Sequence, residues 1–209
     1  MRVLLAGFGP FPGAPLNPSA AVARVLARRR RPALTGLDRS VHVFATTYAA
    51  VDRDLPGLFA NKPDIVLIFG LAGRRRQICI ETRARNALSV LFPDASGLRP
   101  SAGVIEAGGP ESRFGHAPFH RLLNAARASK TPVRLSRDAG RYLCNYVYWR
   151  ALQWAPHGGP LVQFVHIPMI ARRLRPIPRG NKKQRAPTLT QVVAAAENLL
   201  IALAAARKH

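Results

Sequence analysis

Short apolar runs alternate along the chain with stretches of helical period. Val3–Ala6, Val41–Thr46, Ile65–Phe69, Val133–Leu135 and Leu161–Ile167 have strand length and are expected to be buried strands. Helical patterns cover Ala20 to about Arg30, with Ser19 as the expected N-cap, then about Asp52–Asn61, Phe119–Ser129 and Cys144–Ala155. The last helix is the most sharply marked. Thr188 and Gln191 have the spacing of a capping box, and Leu189, Val192, Val193, Ala196, Leu199, Leu200 and Leu203 form one apolar stripe. Strands alternating with helices predict a parallel sheet covered on both faces. With no repeat and no dividing linker, residues 1–209 are expected to form a single three-layer α/β/α domain. Sites in such sheets gather where strands end at their carboxyl edge.

Composition narrows this picture. The 48% hydrophobic content of the 209 residues excludes a disordered chain and supplies one core. No uninterrupted apolar run reaches the roughly 18 residues that cross a bilayer. Met1–Gly7 lacks the longer apolar stretch and cleavage site of an export signal, so the cytoplasm is the expected location. Two cysteines, Cys79 and Cys144, are then expected to be free thiols, too few for a structural zinc site.

The charge stands apart: 32 Lys and Arg against 10 Asp and Glu give a net of +22. Such a field attracts polyanions without sequence preference. The basic residues concentrate in Arg28–Arg31 and in the Pro- and Gly-rich stretch Arg172–Arg185, expected to be an exposed loop. Neither run interleaves aromatic residues as a base-stacking surface would, which favours a solvated surface over a nucleic-acid site.

Candidate chemistry lies at the ends of the predicted elements. The first strand opens into Gly7-Phe8-Gly9-Pro10-Phe11-Pro12-Gly13, without the spacing or the Lys of a phosphate-binding loop. Phe8 and Phe11 either wall a small apolar pocket as exposed aromatics or cap the sheet. Gln77–Ala84 is expected to be one extended segment, in which Glu81 shares a face with Cys79. Glu81 either orients a base or pairs with Arg83. Cys144 falls near a helix start, where unpaired N–H groups and the dipole stabilise a thiolate and an oxyanion. His166 ends an apolar strand before Pro168. Singly, each of these is as readily a core residue. Together, thiol, imidazole and carboxylate are the groups that acyl transfer by Cys requires.

In these segments the chain resembles the pyroglutamyl peptidase I (pyrrolidone-carboxylate peptidase) family. GFGPFPGAPLNPS from Gly7, the stretch from Gly70 through Glu81 to Asn86, AGRYLCNYVY around Cys144 and FVHIP around His166 resemble its motifs, in order. The resemblance implies a mixed sheet, no cofactor, often a tetramer, and removal of an N-terminal pyroglutamyl residue from peptides. It implies Cys144 as nucleophile, His166 as base and Glu81 as third member. Phe8 and Phe11 would line the lactam pocket, completed by backbone near Leu71 and Leu143. Leu71 stands where the family usually has Gln, Leu91-Phe92 where it has Arg–Ile, and Gly73-Arg74 where it has Gly–Gly. These departures leave the trio intact and bear on substrate preference.

Overall fold

A computed structural model describes residues 1–11, 13–171 and 186–208, so the basic stretch 172–185 lies outside the described residues. Strands β1 (Arg2–Phe8), β2 (Asp38–Phe44), β3 (Ile65–Leu71), β4 (Ile78–Glu81), β7 (Val133–Ser136) and β8 (Leu161–Ile167) form a six-stranded sheet in the order β2-β1-β3-β8-β4-β7. The pairs among β2, β1, β3 and β8 are parallel. β4 runs antiparallel to β8 and parallel to β7, so the sheet is mostly parallel but mixed. A two-stranded antiparallel ribbon, β5 (Arg83–Arg85) with β6 (Ser112–Phe114), lies beside it.

Alternation along the strands sorts side chains into two cores. Val3, Leu5, Leu67, Phe69, Ile78, Ile80, Val165 and Ile167 pack against α1 (Ser19–Arg28), α3 (Phe119–Arg127) and α5 (Leu189–Arg207). Leu4, Ala6, Phe8, Val66, Ile68, Val162 and Phe164 face α2 (Tyr48–Ala60) and α4 (Leu143–Gln153). The result is the expected three-layer α/β/α arrangement. At the start of α5 both bonds of the Thr188–Gln191 capping box are present. By length and hydropathy α5 is a candidate membrane span, but its stripe from Val192 to Leu203 is buried in the first core.

Four local expectations are corrected. Ser19 does not cap α1: Pro18 holds that position, and the buried Ser19 hydroxyl instead accepts from the Phe8 N–H at 2.9 Å. A Cβ at Gly7 would lie 2.7 Å from Ser19 and Ala20 backbone atoms, so the helix start sits on the strand and has no room for an outward cap. Gln77–Ala84 is not one extended segment. It breaks at Thr82, whose N–H donates to Ser136 O at 2.7 Å and whose carbonyl accepts from Gly115 at 3.1 Å. Phe8 is not exposed; alternation with Leu4 and Ala6 turns it into the second core, 2% exposed and 5.8 Å from the Phe44 ring. Finally, α2 begins four residues early, at Tyr48, because the Thr47 hydroxyl accepts from the Ala50 N–H.

Candidate active site

The thiol, the imidazole and the carboxylate meet on the face of the sheet covered by α4. His166, next to last in β8, lies beside Gly70 of β3 on one side and Cys79 of β4 on the other. Glu81, opposite Phe164, is the diagonal neighbour of His166 across the β4–β8 pair. Its Oε1 lies 2.8 Å from His166 Nδ1, with both side chains buried. Glu81 thus ends β4, which runs antiparallel to the His166 strand and parallel to β7.

Cys144 is the second residue of α4, which the chain enters from β7 through residues 137–142. Tyr142, at the N-cap, makes no side-chain capping bond, leaving the first-turn N–H groups open to an acceptor. Cys144 is partly exposed, and its Sγ lies over the backbone of Gly70: a Cβ there would come within 2.9 Å of Sγ and 2.6 Å of Phe164 Cζ. Only glycine lets the sulfur sit so close to the strand.

The electrostatics follow from this packing. Burial disfavours the imidazolium. The Cys144 thiolate, by its charge and a hydrogen bond, and then the Glu81 carboxylate outweigh that penalty, and the His166 pKa is pushed up to about 9. A charged imidazole is therefore favoured at neutral pH.

The supports of the trio were not all legible. Arg83, the alternative partner considered for Glu81, does not engage it; Arg75 does, its Nη1 lying 2.6 Å from Oε1. Arg83 is drawn off to Arg137 O at 3.0 Å and the Ser112 hydroxyl at 3.3 Å. The Glu81 carbonyl accepts from Tyr148 Oη at 3.0 Å and Gln163 Nε2 at 2.9 Å. Buried Asn145 donates to Arg85 O and Ala87 O and accepts from the Arg85 N–H, clamping the α4 start to the segment after Glu81. A lone Gln in an apolar strand and a lone Asn beside Cys144 were the available signals.

The predicted pocket residues separate. Phe8 and Leu143 are buried in the second core, with Cys144 packed against that cluster. Phe11 and Leu71 line an apolar cavity of about 660 Å³ with Leu16, Ala21, Met169 and Leu189. Leu71 follows Gly70 and pairs with Ile167, so its side chain points to the α1/α5 face, away from Cys144. Leu91 and Phe92 are 72% and 64% exposed on a loop tied to the residues before Cys144, through Ser89 N–H to Arg141 O and Tyr142 Oη to Pro93 O. Among the described residues no three His, Cys, Asp or Glu side chains form a group suited to a metal ion.

Thiol, imidazole and carboxylate on one face of an α/β sheet are the groups of a cysteine-type peptidase. The family model for pyroglutamyl peptidase matches residues 1–208. The pyrrolidone-carboxylate peptidase of Thermococcus onnurineus is 32% identical over 182 residues, which cover 86% of this chain and 89% of that one. That of Gloeobacter violaceus is 32% identical over 191 residues, 90% and 92% of the two chains. Among solved structures, Bacillus amyloliquefaciens pyroglutamyl peptidase I superposes with a TM-score of 0.78 at 28% identity, covering 100% of this chain and 97% of its own. The pyrrolidone carboxyl peptidase of Thermococcus litoralis gives 0.84 at 26% identity, covering 99% and 95%. This chain belongs to the pyroglutamyl peptidase family of cysteine-type peptidases.

Proposed function

We propose that this protein removes N-terminal pyroglutamyl residues from peptides, with Cys144 as nucleophile, His166 as acid and base, and Glu81 holding the imidazole. The observation that carries the assignment is the 2.8 Å contact between Glu81 and His166, on the face where Cys144 Sγ overlies Gly70. Cys144 Sγ attacks the pyroglutamyl carbonyl carbon, and the oxyanion is held by N–H groups of the uncapped α4 start. His166 protonates the leaving amine as the C–N bond breaks, leaving a thioester. Water, deprotonated by His166, then attacks that thioester and releases pyroglutamate and the thiol. No metal or cofactor enters these steps.

The lactam is assigned to the space beside Phe8 and the backbone of Leu71 and Leu143. Phe8 and Leu143 belong to the cluster against which Cys144 packs, which supports this placement. Apolar walls there discriminate against free amino termini, because an ammonium would lose its water without gaining a partner. Release of a fluorophore from a pyroglutamyl amide tests the reading. Cys144→Ala and Cys144→Ser are expected to abolish it, and unchanged turnover in either refutes the assignment.

A second reading, a related amidase with another N-terminal preference, is favoured by Leu91 and Phe92 on the loop fastened beside Cys144. A panel of N-terminally blocked amides separates the two, since the pyroglutamyl compound must lead. Self-association, as a tetramer, is also proposed. It is supported by Val90, Leu91, Phe92, Leu98 and Val104, exposed along one loop segment, and sedimentation equilibrium gives the answer. A cytoplasmic location and sequence-blind polyanion binding through the +22 charge complete the proposal.

A further inference from the structure

Of the three consecutive arginines after Gly73, only Arg75 is drawn inward; Arg74 and Arg76 are exposed. Its Nη1 donates to the same Glu81 Oε1 that contacts His166 Nδ1, and reaches the Ser136 hydroxyl at 3.4 Å. Its Nη2 donates to the Asp138 carbonyl. The base of the turn is closed by Arg75 N–H to Ala72 O, and Ala72 N–H donates to Ile167 O beside His166, both at 2.9 Å. One guanidinium therefore joins the β3–β4 turn, the buried acid and the β7–α4 turn that delivers Cys144.

We propose that Arg75 is a positioning residue of the reaction, fixing Glu81 against His166 and balancing the charge of the buried cluster. The proposal rests on the roles given above to Cys144, His166 and Glu81. Glu81 is fully buried, and its Oε2 has no hydrogen-bond partner among the described residues. Both stabilising contacts fall on Oε1, and a carboxylate so placed needs its cations. Removing the guanidinium leaves the cluster one charge more negative, so it binds protons more tightly.

None of the other groups facing it bonds the Glu81 carboxylate, whose contacts are Arg75 and His166. From α4, Tyr148 donates its hydroxyl to the Glu81 carbonyl, and burial pushes its own pKa far up, so it stays neutral. From β4 comes Cys79, with Arg134 of β7 at 3.5 Å from its sulfur. The Asp138 carboxylate is turned to Arg85 at 2.7 Å. A guanidinium that merely neutralised Glu81 for folding would leave the reaction's pH profile in place. One that acts through Glu81 on His166 would not.

The test uses Arg75→Gln and Arg75→Lys, and Arg75→Gln combined with Glu81→Gln, assayed on the pyroglutamyl amide across pH beside Cys144→Ala. Arg75→Gln is expected to lower kcat ten- to a hundredfold with KM changed less than threefold. Both limbs of kcat/KM should move to higher pH by about one unit, as loss of a nearby cation requires. Arg75→Lys should return the limbs to their wild-type positions with part of the rate. Adding Arg75→Gln to Glu81→Gln should cost less than a further threefold in kcat. Unmoved limbs in Arg75→Gln, or a full multiplication of the two losses, overturn the proposal. If Arg75→Gln does not fold, the double variant against Glu81→Gln decides by the same kcat criterion. Turnover by Cys144→Ala would instead sink the site assignment itself, whatever Arg75 does.

Discussion

Gly70→Ala puts one methyl group where the structure leaves no space for it. The new Cβ would stand 2.6 Å from Phe164 Cζ and 2.9 Å from Cys144 Sγ, with Phe164 held in the core between β3 and α4. Ordinary contact needs about 3.5–4.0 Å, so the sulfur must recede by roughly 0.6–1.1 Å and the ring or the strand must give by roughly 0.9–1.4 Å. The ring is fully buried, so that overlap is met by strain in the core, whereas Cys144 is partly exposed and can move outward. Overpacking costs about 1–3 kcal/mol, equivalent to a Tm lower by roughly 2–10 °C in a domain of this size. The chemical step should suffer more, because a displacement of about 1 Å at a reacting atom costs on the order of a hundredfold. Scanning calorimetry gives the first quantity, and single-turnover kinetics on a pyroglutamyl amide give the second. A folded Gly70→Ala enzyme with wild-type turnover would show that Sγ does not react from its place over β3.

His166, with its pKa raised to about 9, stabilises the fold below the ordinary imidazole value near 6.5. That contribution is lost as pH climbs through 9, so the urea midpoint should fall between pH 6.5 and 9.5. In Cys144→Ala the largest contact raising the His166 pKa is gone, so the fall should still start near 6.5 but be smaller and end at lower pH; an identical profile in both proteins would contradict the coupling of Cys144 to His166. Thr188→Ala removes the side-chain half of the α5 capping box and should cost about 1 kcal/mol by urea titration. Since α5 lies away from Cys144, kcat should not change, and a large kcat effect would argue against that separation.

The layers of this fold were legible because burial on two faces leaves continuous apolar strands, and β1, β3 and β8 are of that kind. β2 was caught only in part, since Asp38-Arg39-Ser40 at its start lie on the sheet edge and need not be apolar. The direction of β4 left no trace. Ile78-Cys79-Ile80-Glu81 reads the same for a parallel or an antiparallel neighbour, and only long-range pairing fixes which it is. Cys144 and His166 were marked by local features, a helix start and a strand end. Arg75 was not, because nothing in Arg74-Arg75-Arg76 says which arginine turns inward. That choice belongs to the turn closed on Ala72. Phe8 and Phe11, three residues apart, looked alike and parted because β1 ends between them.

The strand order carries a consequence for how the chain is made. β8, the last strand among the described residues, lies between β3 and β4, so the N-terminal strands β2-β1-β3 and the pair β4-β7 share no edge until residue 161 and its successors arrive. Until then a nascent chain holds two half-sheets with open edges and an acid far from its imidazole. Insertion of β8 joins residues more than eighty positions apart, the kind of non-local closure that sets a slow folding step. The same event sets His166 between Gly70 and Glu81. Completion of the sheet thus also brings thiol, imidazole and carboxylate together, and a chain stalled before it would hold Cys144 without His166 beside it.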